Sequence, residues 1–316
     1  MNFSKKMKNR LIRIGTRGSQ LALYQAEKVK EAIKNEHPQC DVEIKIIKTK
    51  GDKILDVALS KIGDKGLFTK ELEVELFSKS IDIAVHSLKD LPTRFPEGLT
   101  LGGVLQRGEF RDALVHINGK KFNQLNENDV IATSSLRRRA QLLKVNPAFT
   151  IVDIRGNVNT RLQKMQNGHC TAMIMAAAGL QRLGLDHLIS EILDHEIFIP
   201  AVSQGAIAME IRENDQELKE LLYPVIHQPT LHAVNAERAF LRLLEGGCQV
   251  PIGCFSELSQ SVFRIKGFIS NLDATKVIED ELTGVPENAV DISERLAQSF
   301  INRGSKDILE EIRKNI

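Results

Sequence analysis

Apolar and polar residues follow two different periods along the first part of the chain. The short apolar stretches LIRIG and IDIAVHS and the alternating stretch DVEIKIIK predict strands. Between them, SQLALYQAEKVKEAIKNE and LFTKELEVELFSKS carry apolar residues at helical spacing. Strands separated by helices indicate a parallel sheet with helices packed on it, and such sheets bind ligands at the carboxyl ends of their strands.

The same order of strand, turn and helix occurs a second time. IRIGTRGSQLAL resembles VIATSSLRRRAQL, IIKTKGD aligns with IVDIRGN, and DIAVHSLKD has a counterpart in AMIMAAAGL. Three matches in the same order predict two similar α/β domains. We expect the first to comprise residues 1–105 and 200–223, with the second, residues 106–199, inserted between two crossing strands.

The last third of the chain has a different pattern. PTLHAVNAERAFLRLLEGG predicts an amphipathic helix, SVFRIKGFIS and KVIEDELTG predict strands, and Ser305 is expected to cap a final helix, KDILEEIRKN. These elements predict a smaller α+β domain over residues 224–316. The predicted fold class is therefore two similar doubly wound α/β domains, periplasmic-binding-protein-like by analogy, followed by a smaller C-terminal α+β domain.

Composition narrows the classes of partner. The chain has 316 residues, and 43 Lys and Arg against 41 Asp and Glu give a net charge of +2, which provides no general attraction to nucleic acid or anionic membranes. Aromatic residues make up 5% and Trp is absent, so platforms for base stacking are scarce. MNFSKKMKNRLIRIG lacks the apolar core of a signal peptide. We expect a cytoplasmic protein that binds neither nucleic acid nor membrane.

Basic and hydroxyl side chains stand at the predicted helix starts of both halves. Free backbone N–H groups there attract anions, and the guanidinium fork matches a carboxylate or phosphate. These side chains are Thr16, Arg17, Ser19, Thr133, Ser134, Ser135, Arg137, Arg138, Arg155, Arg161 and Arg182. An isolated basic run such as LRRRAQLL usually forms a solvated helix face. Its repetition over equivalent turns favours a site for a small polyanion, and no P-loop pattern is present.

Asp90 and His86 lie at or just after the end of the predicted strand IDIAVHS. Asp90 in HSLKDLP either caps a turn or takes part in acid–base and cation-stabilising chemistry. We expect His86 to be a hydrogen-bonded core residue.

The sequence around Cys248, LEGGCQVPIG, limits the chemistry that its thiol can carry out. The four cysteines lie at positions 40, 170, 248 and 254 without CxxC spacing, which argues against zinc and dithiol sites. Cys248 follows the C-terminal end of a predicted helix, where the helix dipole disfavours a thiolate. An ordinary thiol can still form one stable thioether, and Gly246 and Gly247 allow the loop to approach a ligand closely.

The segment ERAFLRLLEGGCQVPIG resembles the cofactor-attachment signature of the hydroxymethylbilane synthase family, also called porphobilinogen deaminases. The resemblance extends through IRIGTRGSQLAL, GDKGLFTKELE, DIAVHSLKDLP, ATSSLRRRAQL, IRGNVNTRL, AAAGLQRLGL and PAVSQGAIAMEIR. Only the first ten residues and the stretch from Phe255 onward are generic.

The resemblance implies a monomeric transferase of tetrapyrrole, porphyrin and haem biosynthesis. It would join four porphobilinogen molecules head to tail into hydroxymethylbilane on a dipyrromethane cofactor attached to Cys248 by a thioether, with no metal. Asp90 would contact pyrrole N–H groups and stabilise the cationic azafulvene that forms when ammonia leaves. The alternative is a two-lobed polyanion-binding protein without catalysis, which would need a secretion signal and no cysteine loop.

The resemblance also implies roles for individual residues. The cofactor contacts would be Ser87, Lys89, Asp90, Thr133, Ser135, Arg137 and Arg138. The substrate carboxylates would be bound by Arg17, Ser19, Arg155, Arg161 and Arg182. Lys61 and Lys65 fall in a segment, 48–66, that matches a mobile region over the cleft, and they are either lid contacts or solvated charges.

Overall fold

A computed structural model describes residues 10–53, 69–245 and 250–315. These residues form two compact units. The first unit contains described residues 10–53, 69–107 and 206–231, and the second contains 108–205, 232–245 and 250–315. Cys248, Lys61 and Lys65 lie outside the described residues.

The elements of both units are as follows in chain order. The strands are β1 (Leu11–Thr16), β2 (Asp41–Ile46), β3 (Ile83–Ser87), β4 (Leu99–Val104), β5 (Asp112–His116), β6 (Val130–Ala132), β7 (Thr150–Val152), β8 (Ala172–Ala176), β9 (Glu191–Ile192), β10 (Ile207–Arg212), β11 (Ile252–Leu258), β12 (Phe263–Ser270) and β13 (Val277–Gly284). The helices are α1 (Gln20–Glu36), α2 (Lys50–Lys53), α3 (Lys70–Phe77), α4 (Leu136–Val145), α5 (Val158–Gln166), α6 (Ala177–Gln181), α7 (Gln216–Leu222), α8 (Gln228–Leu243), α9 (Ala289–Asn302) and α10 (Ser305–Asn315).

The first unit is built on a five-stranded sheet in the order β2-β1-β3-β10-β4. Strand β1 runs parallel to β2 and β3, whereas β10 runs antiparallel to β3 and β4. Helix α1 covers the sheet with Ala26, Val29 and Ile33, which are buried at the spacing that the sequence pattern predicts. Because β10 joins this sheet long after β4 in the chain, the first unit is discontinuous in sequence.

The second unit contains a sheet of the same plan, in the order β7-β6-β8-β5-β9. Here β6 runs parallel to β7 and β8, and β5 runs antiparallel to β8 and β9. In the first sheet, β2, β1 and β3 lie side by side and are followed by the antiparallel strand β10. In the second sheet, β7, β6 and β8 have the same arrangement and are followed by the antiparallel strand β5. The predicted duplication of an α/β domain is therefore confirmed.

The remainder of the second unit is an antiparallel sheet in the order β11-β12-β13, with α9 and α10 contributing to its core. Phe240 of α8 packs edge-on against Phe300 of α9 in that core, with ring centroids 5.2 Å apart. The predicted smaller α+β part is thus also confirmed, and so is the fold class. The division of the chain at residues 105, 199 and 223 stays a prediction.

The α+β part makes backbone contact with the segment that follows β9. The N–H of Cys254 donates to the carbonyl of Pro200 at 2.9 Å, and a Cβ on Gly253 would lie 2.8 Å from the carbonyl oxygen of Ile199. Glycine is required at 253 because no side chain fits between the two backbones. Within the second unit, main-chain contacts therefore join the α+β part to the segment that follows β9.

One predicted cap was wrong. Ser305 is the first residue of α10, and its hydroxyl oxygen is buried without a hydrogen-bond partner among the described residues. The carbonyl of Gly304 accepts from the N–H of Ile308 at 3.4 Å, so the helix starts from a glycine with φ +90°. The positive φ explains why glycine precedes this helix.

Candidate functional site

The turn after β1 is fixed by hydroxyl groups on both sides of Arg17. Thr16 is fully buried, and its Oγ1 donates to the carbonyl of Ala22 at 3.1 Å. Ser19 is the N-cap of α1, and its Oγ accepts from the N–H of Ala22 at 3.3 Å. An N-cap of this kind satisfies a free donor of the helix start. The turn therefore holds the half-buried Arg17 at the beginning of a 17-residue helix.

The end of β3 presents the predicted catalytic carboxylate. Ser87 is followed by one turn of 3₁₀ helix, Leu88–Asp90, in which Leu88 is fully buried, Lys89 is half-buried and Asp90 is exposed. The N-cap of this turn is Ser87 and its C-cap is Leu91, so Asp90 is not the capping residue. The buried Leu88 anchors the turn and leaves Asp90 available to a ligand.

His86 is buried, as predicted, but its Nε2 has no hydrogen-bond partner among the described residues, so the prediction of a hydrogen-bonded core residue is not confirmed at this atom. Its side chain is 5% exposed, and its Nε2 lies 3.1 Å from Oε2 of the fully buried Glu210 on the neighbouring strand β10. The imidazole is therefore buried beside a carboxylate of the same sheet. Glu210 is a polar residue of the core that the sequence pattern did not single out.

In the second unit, hydroxyl groups build the start of α4. Thr133 Oγ1 accepts from the N–H of Ser135 at 3.2 Å, and Ser135 is the N-cap, accepting from the N–H of Arg138 at 3.5 Å. Ser134 Oγ donates to the carbonyl of Ile154 at 2.8 Å and accepts from its N–H at 2.9 Å. These bonds join the turn after β6 to the segment after β7.

Arg137 and Arg138 are buried, so LRRRAQLL is not a solvated helix face at these two positions. Arg137 Nη1 lies 2.8 Å from Oδ2 of Asp112, and Arg138 Nη2 lies 2.8 Å from its Oδ1. Burial by itself raises the pKa of Asp112, but the attraction of both guanidinium groups and their hydrogen bonds outweigh it and hold that pKa well below its usual range. Asp112 is a polar partner that the sequence analysis missed.

The turn after β7 carries the next two arginines. Arg155 Nη1 is buried with no hydrogen-bond partner among the described residues, and burial lowers the pKa of Arg155 while the nearby Asp153 opposes that shift. Arg161 Nε donates to the carbonyl of Gly156 at 2.8 Å. Gly156 has φ +113°, and a Cβ there would lie 2.6 Å from the Thr160 side chain, so glycine is needed for this turn.

Arg182 follows α6 and is half-buried. Its Nη2 donates to the carbonyl of Gly205. Gly205 has φ +89°, and a Cβ there would lie 2.7 Å from the carbonyl oxygen of Gly108. Arg182 therefore binds the backbone at Gly205, where the chain passes too close to Gly108 for a side chain to fit.

Sheet order explains which predicted residues come together. In the first unit, Arg17 and Ser19 follow β1 while Ser87, Lys89 and Asp90 follow β3, and these strands are parallel neighbours. In the second unit, the turns with Ser135, Arg155 and Arg182 follow β6, β7 and β8, which are also parallel neighbours. Carboxyl ends of parallel neighbours meet at one sheet edge, so each unit gathers its predicted residues there.

Two further findings concern other kinds of site. No group of three His, Cys, Asp or Glu side chains that could hold a metal ion occurs in the described ranges. None of the helices in those ranges is long and apolar enough to cross a membrane.

The fold and these sheet edges define a duplicated α/β protein that offers guanidinium, hydroxyl and helix-start N–H groups to a small polyanion. Comparison with known families is more specific. The profile described as "Porphobilinogen deaminase, dipyromethane cofactor binding domain" matches residues 12–220, and "Porphobilinogen deaminase, C-terminal domain" matches residues 231–302. The chain belongs to the porphobilinogen deaminase family.

Individual relatives agree with the family profiles. The porphobilinogen deaminase of Desulforamulus reducens is 47% identical over 302 residues, covering 96% of this chain and 98% of the relative. That of Carboxydothermus hydrogenoformans is 47% identical over 309 residues, covering 98% and 99%. That of Chlorobium phaeovibrioides is 46% identical over 312 residues, again covering 98% and 99%.

One solved structure that resembles this chain is less similar to it in sequence than these relatives are. The methionine-binding protein MetQ covers 72% of this chain and 93% of its own, with 14% identity and a TM-score of 0.44. Likeness at that level says nothing about what this chain binds.

Proposed function

We propose that this chain catalyses the hydroxymethylbilane synthase reaction. It removes ammonia from four porphobilinogen molecules and joins them head to tail into the linear tetrapyrrole hydroxymethylbilane, for porphyrin and haem biosynthesis. Membership of the porphobilinogen deaminase family, whose two profiles match residues 12–220 and 231–302, supports the proposal. The structural observation that carries it is Asp90, an exposed carboxylate at the same sheet edge as Arg17 and Ser19.

The residues of both units suit a dipyrromethane cofactor. Each of its pyrroles bears an acetate and a propionate, and the buried Nε of Arg138 has no hydrogen-bond partner among the described residues. We assign cofactor contacts to Ser87, Lys89, Asp90, Thr133, Ser135, Arg137 and Arg138, and thioether attachment to Cys248. When bound, the cofactor supplies the nucleophilic carbon to which substrate is joined.

Asp90 has the central chemical role in this proposal. As ammonia leaves porphobilinogen, positive charge develops on the substrate ring, and a carboxylate beside the pyrrole N–H stabilises that charge. The same carboxylate assists transfer of the ring proton once the new bond has formed. Its exposure leaves the carboxylate accessible for these tasks.

The arginines account for recognition of the substrate. We assign the acetate and propionate groups of incoming porphobilinogen to Arg17, Ser19, Arg155, Arg161 and Arg182. Arg155 Nη1 is buried without a partner in the part of the chain that the structure describes, and this supports the assignment, because such a donor is costly until an anion binds. We also propose that the enzyme acts as a cytoplasmic monomer and binds no nucleic acid.

Purified protein supplied with porphobilinogen tests the reaction. We expect release of ammonia together with hydroxymethylbilane, and an intact mass greater than the 35.3 kDa polypeptide by one dipyrromethane. Binding of porphobilinogen without release of ammonia would instead establish a polyanion-binding protein without catalysis.

A further inference from the structure

Asp112 is the first residue of β5, and its side chain is fully buried. Besides Arg137 and Arg138, its carboxylate accepts a 2.8 Å hydrogen bond from Gln204 Nε2 at Oδ1. That amide also donates to the carbonyl of Phe110 at 2.8 Å. The carboxylate is therefore held by side chains from two separate stretches of the second unit, helix α4 and the segment that contains Gln204.

The convergence of two consecutive arginines on one carboxylate is unusual for a helix. Adjacent helical residues point about 100° apart, so they do not normally face the same group. Arg137 Nη1 also donates to the carbonyl of Ile199 at 2.6 Å, and Arg138 Nη1 donates to that of Ile174 at 3.1 Å. Each guanidinium is thus oriented by one carboxylate bond and one carbonyl bond.

The charges of this cluster do not cancel. Two guanidinium groups and one carboxylate leave a net charge of +1, although all three side chains are more than nine-tenths buried. Burial lowers the pKa of Arg137, and Asp112 opposes that shift. The start of α4 adds its partial positive charge, and Arg138 Nε has no partner in the described ranges. A buried surplus charge is unfavourable until an anion compensates it.

We propose that Asp112 is a positioning residue for the dipyrromethane site. It fixes the orientation of Arg137 and Arg138 and neutralises only one of their two charges, so that the second remains available to a cofactor carboxylate. This inference rests on the proposed function and adds to it a residue that does not itself bind the cofactor.

The test compares Asp112→Glu and Asp112→Asn with Asp129→Asn. Glu keeps the charge but moves it by one methylene, whereas Asn keeps the shape and removes the charge. Asp129 is a matched control in the same unit, because it is buried and bonded to His116 Nε2 at 2.9 Å and to Lys120 Nζ at 2.9 Å, with no arginine. The readouts are the fraction of purified protein carrying the dipyrromethane mass, the melting temperature, and KM and kcat measured separately.

We expect both Asp112 variants to reduce the cofactor-bearing fraction by on the order of tenfold to a hundredfold, as misplacement of positioning groups typically does. Asp129→Asn should lower the melting temperature and keep the wild-type cofactor fraction. The proposal is overturned if the Asp112 variants keep that fraction, or if Asp129→Asn loses as much of it. Failure of both Asp112 variants to fold, with Asp129→Asn folded, would assign Asp112 a purely structural role. Wild-type protein with neither the dipyrromethane mass nor ammonia release would instead refute the proposed function itself.

Discussion

Gln25 Nε2 donates a 2.8 Å hydrogen bond to Ser87 Oγ, which joins helix α1 to the end of β3. Gln25 is 2% exposed, so this bond is shielded from water. The two elements that it links carry the predicted site residues of the first unit, with Arg17 at the start of one and Asp90 just after the other. The link does not involve the Asp90 carboxylate, so the charge of Asp90 can be removed without breaking it.

We expect Asp90→Asn to keep the fold and to lower turnover by on the order of 10²–10³, the usual loss for one electrostatic interaction in a transition state. The amide keeps the size of the side chain but removes the charge that stabilises a cation. The rate of hydroxymethylbilane formation, measured beside the melting temperature, checks this. Asp186→Asn is the control, because Asp186 is also exposed in a 3₁₀ turn but lies outside the proposed site. Normal turnover in Asp90→Asn would exclude Asp90 from the mechanism.

Arg155→Leu and Arg161→Leu should stall chain elongation while the stability stays within about 1 kcal/mol of wild type. Arg155 Nη1 has no partner among the described residues, and the Arg161 side chain donates to a backbone carbonyl, that of Gly156, so neither substitution removes a buried ion pair between two described residues. Mass spectra of the enzyme during turnover should show intermediates with too few pyrroles. Arg139→Leu is the control, since Arg139 also donates to a backbone carbonyl, that of Ile151 at 3.4 Å, and has no assigned role. Normal elongation with a large drop in melting temperature would make these arginines structural.

Acid should weaken the contact between Glu196 and sheet β11-β12-β13. Hydrogen bonds from Arg264, and then from Lys266, lower the pKa of Glu196 from 4.5 to about 2. Because the folded pKa is below the unfolded one, this stabilisation is complete above about pH 4.5 and is lost as the pH falls toward 2. The side chain is 38% exposed, so solvent and salt screen part of the effect.

Glu196→Gln should therefore lower the melting temperature at pH 6, and the difference from wild type should shrink as the pH approaches 2. Thermal unfolding measured across that range at low and high salt checks the prediction. Glu294→Gln, at an exposed position of α9, is the control and should show no such convergence. A constant difference between Glu196→Gln and wild type at every pH would contradict it.

The sequence predicted β1, β3 and β8 well because buried parallel strands form short apolar runs bounded by polar turns. It could not predict that Asp112 binds Arg137, since the two residues are 25 positions apart and meet only where helix α4 packs on the sheet that contains β5. The sequence predicts that the hydroxyl groups of Ser19 and Ser135 bind ligands, which stays a prediction, and in the structure both hydroxyls also accept backbone N–H bonds as N-caps. A serine before a helix has the same sequence signature in both roles.

Cys248 should be the single cysteine that carries a covalent group in active enzyme. Cys40, Cys170 and Cys254 are 0%, 3% and 0% exposed, so none of them can reach a ligand of pyrrole size without unfolding. Burial also raises the pKa of Cys170 to about 11 and raises that of Cys40, which keeps both thiols protonated and unreactive. Cys248 lies outside the described residues, and its assignment rests on the attachment motif LEGGCQVPIG.

We expect Cys248→Ala to lose the dipyrromethane mass and the activity together, because the thioether has no other attachment point. The matched controls are Cys40→Ala, Cys170→Ala and Cys254→Ala, which should keep both; Ala is preferred to Ser because a buried hydroxyl without a partner is costly. Peptide mass spectrometry after addition of porphobilinogen should show the Cys248 adduct lengthening by one pyrrole at a time. An unmodified Cys248 peptide from fully active enzyme would defeat this mechanism, since chain growth then could not begin from a covalently held primer.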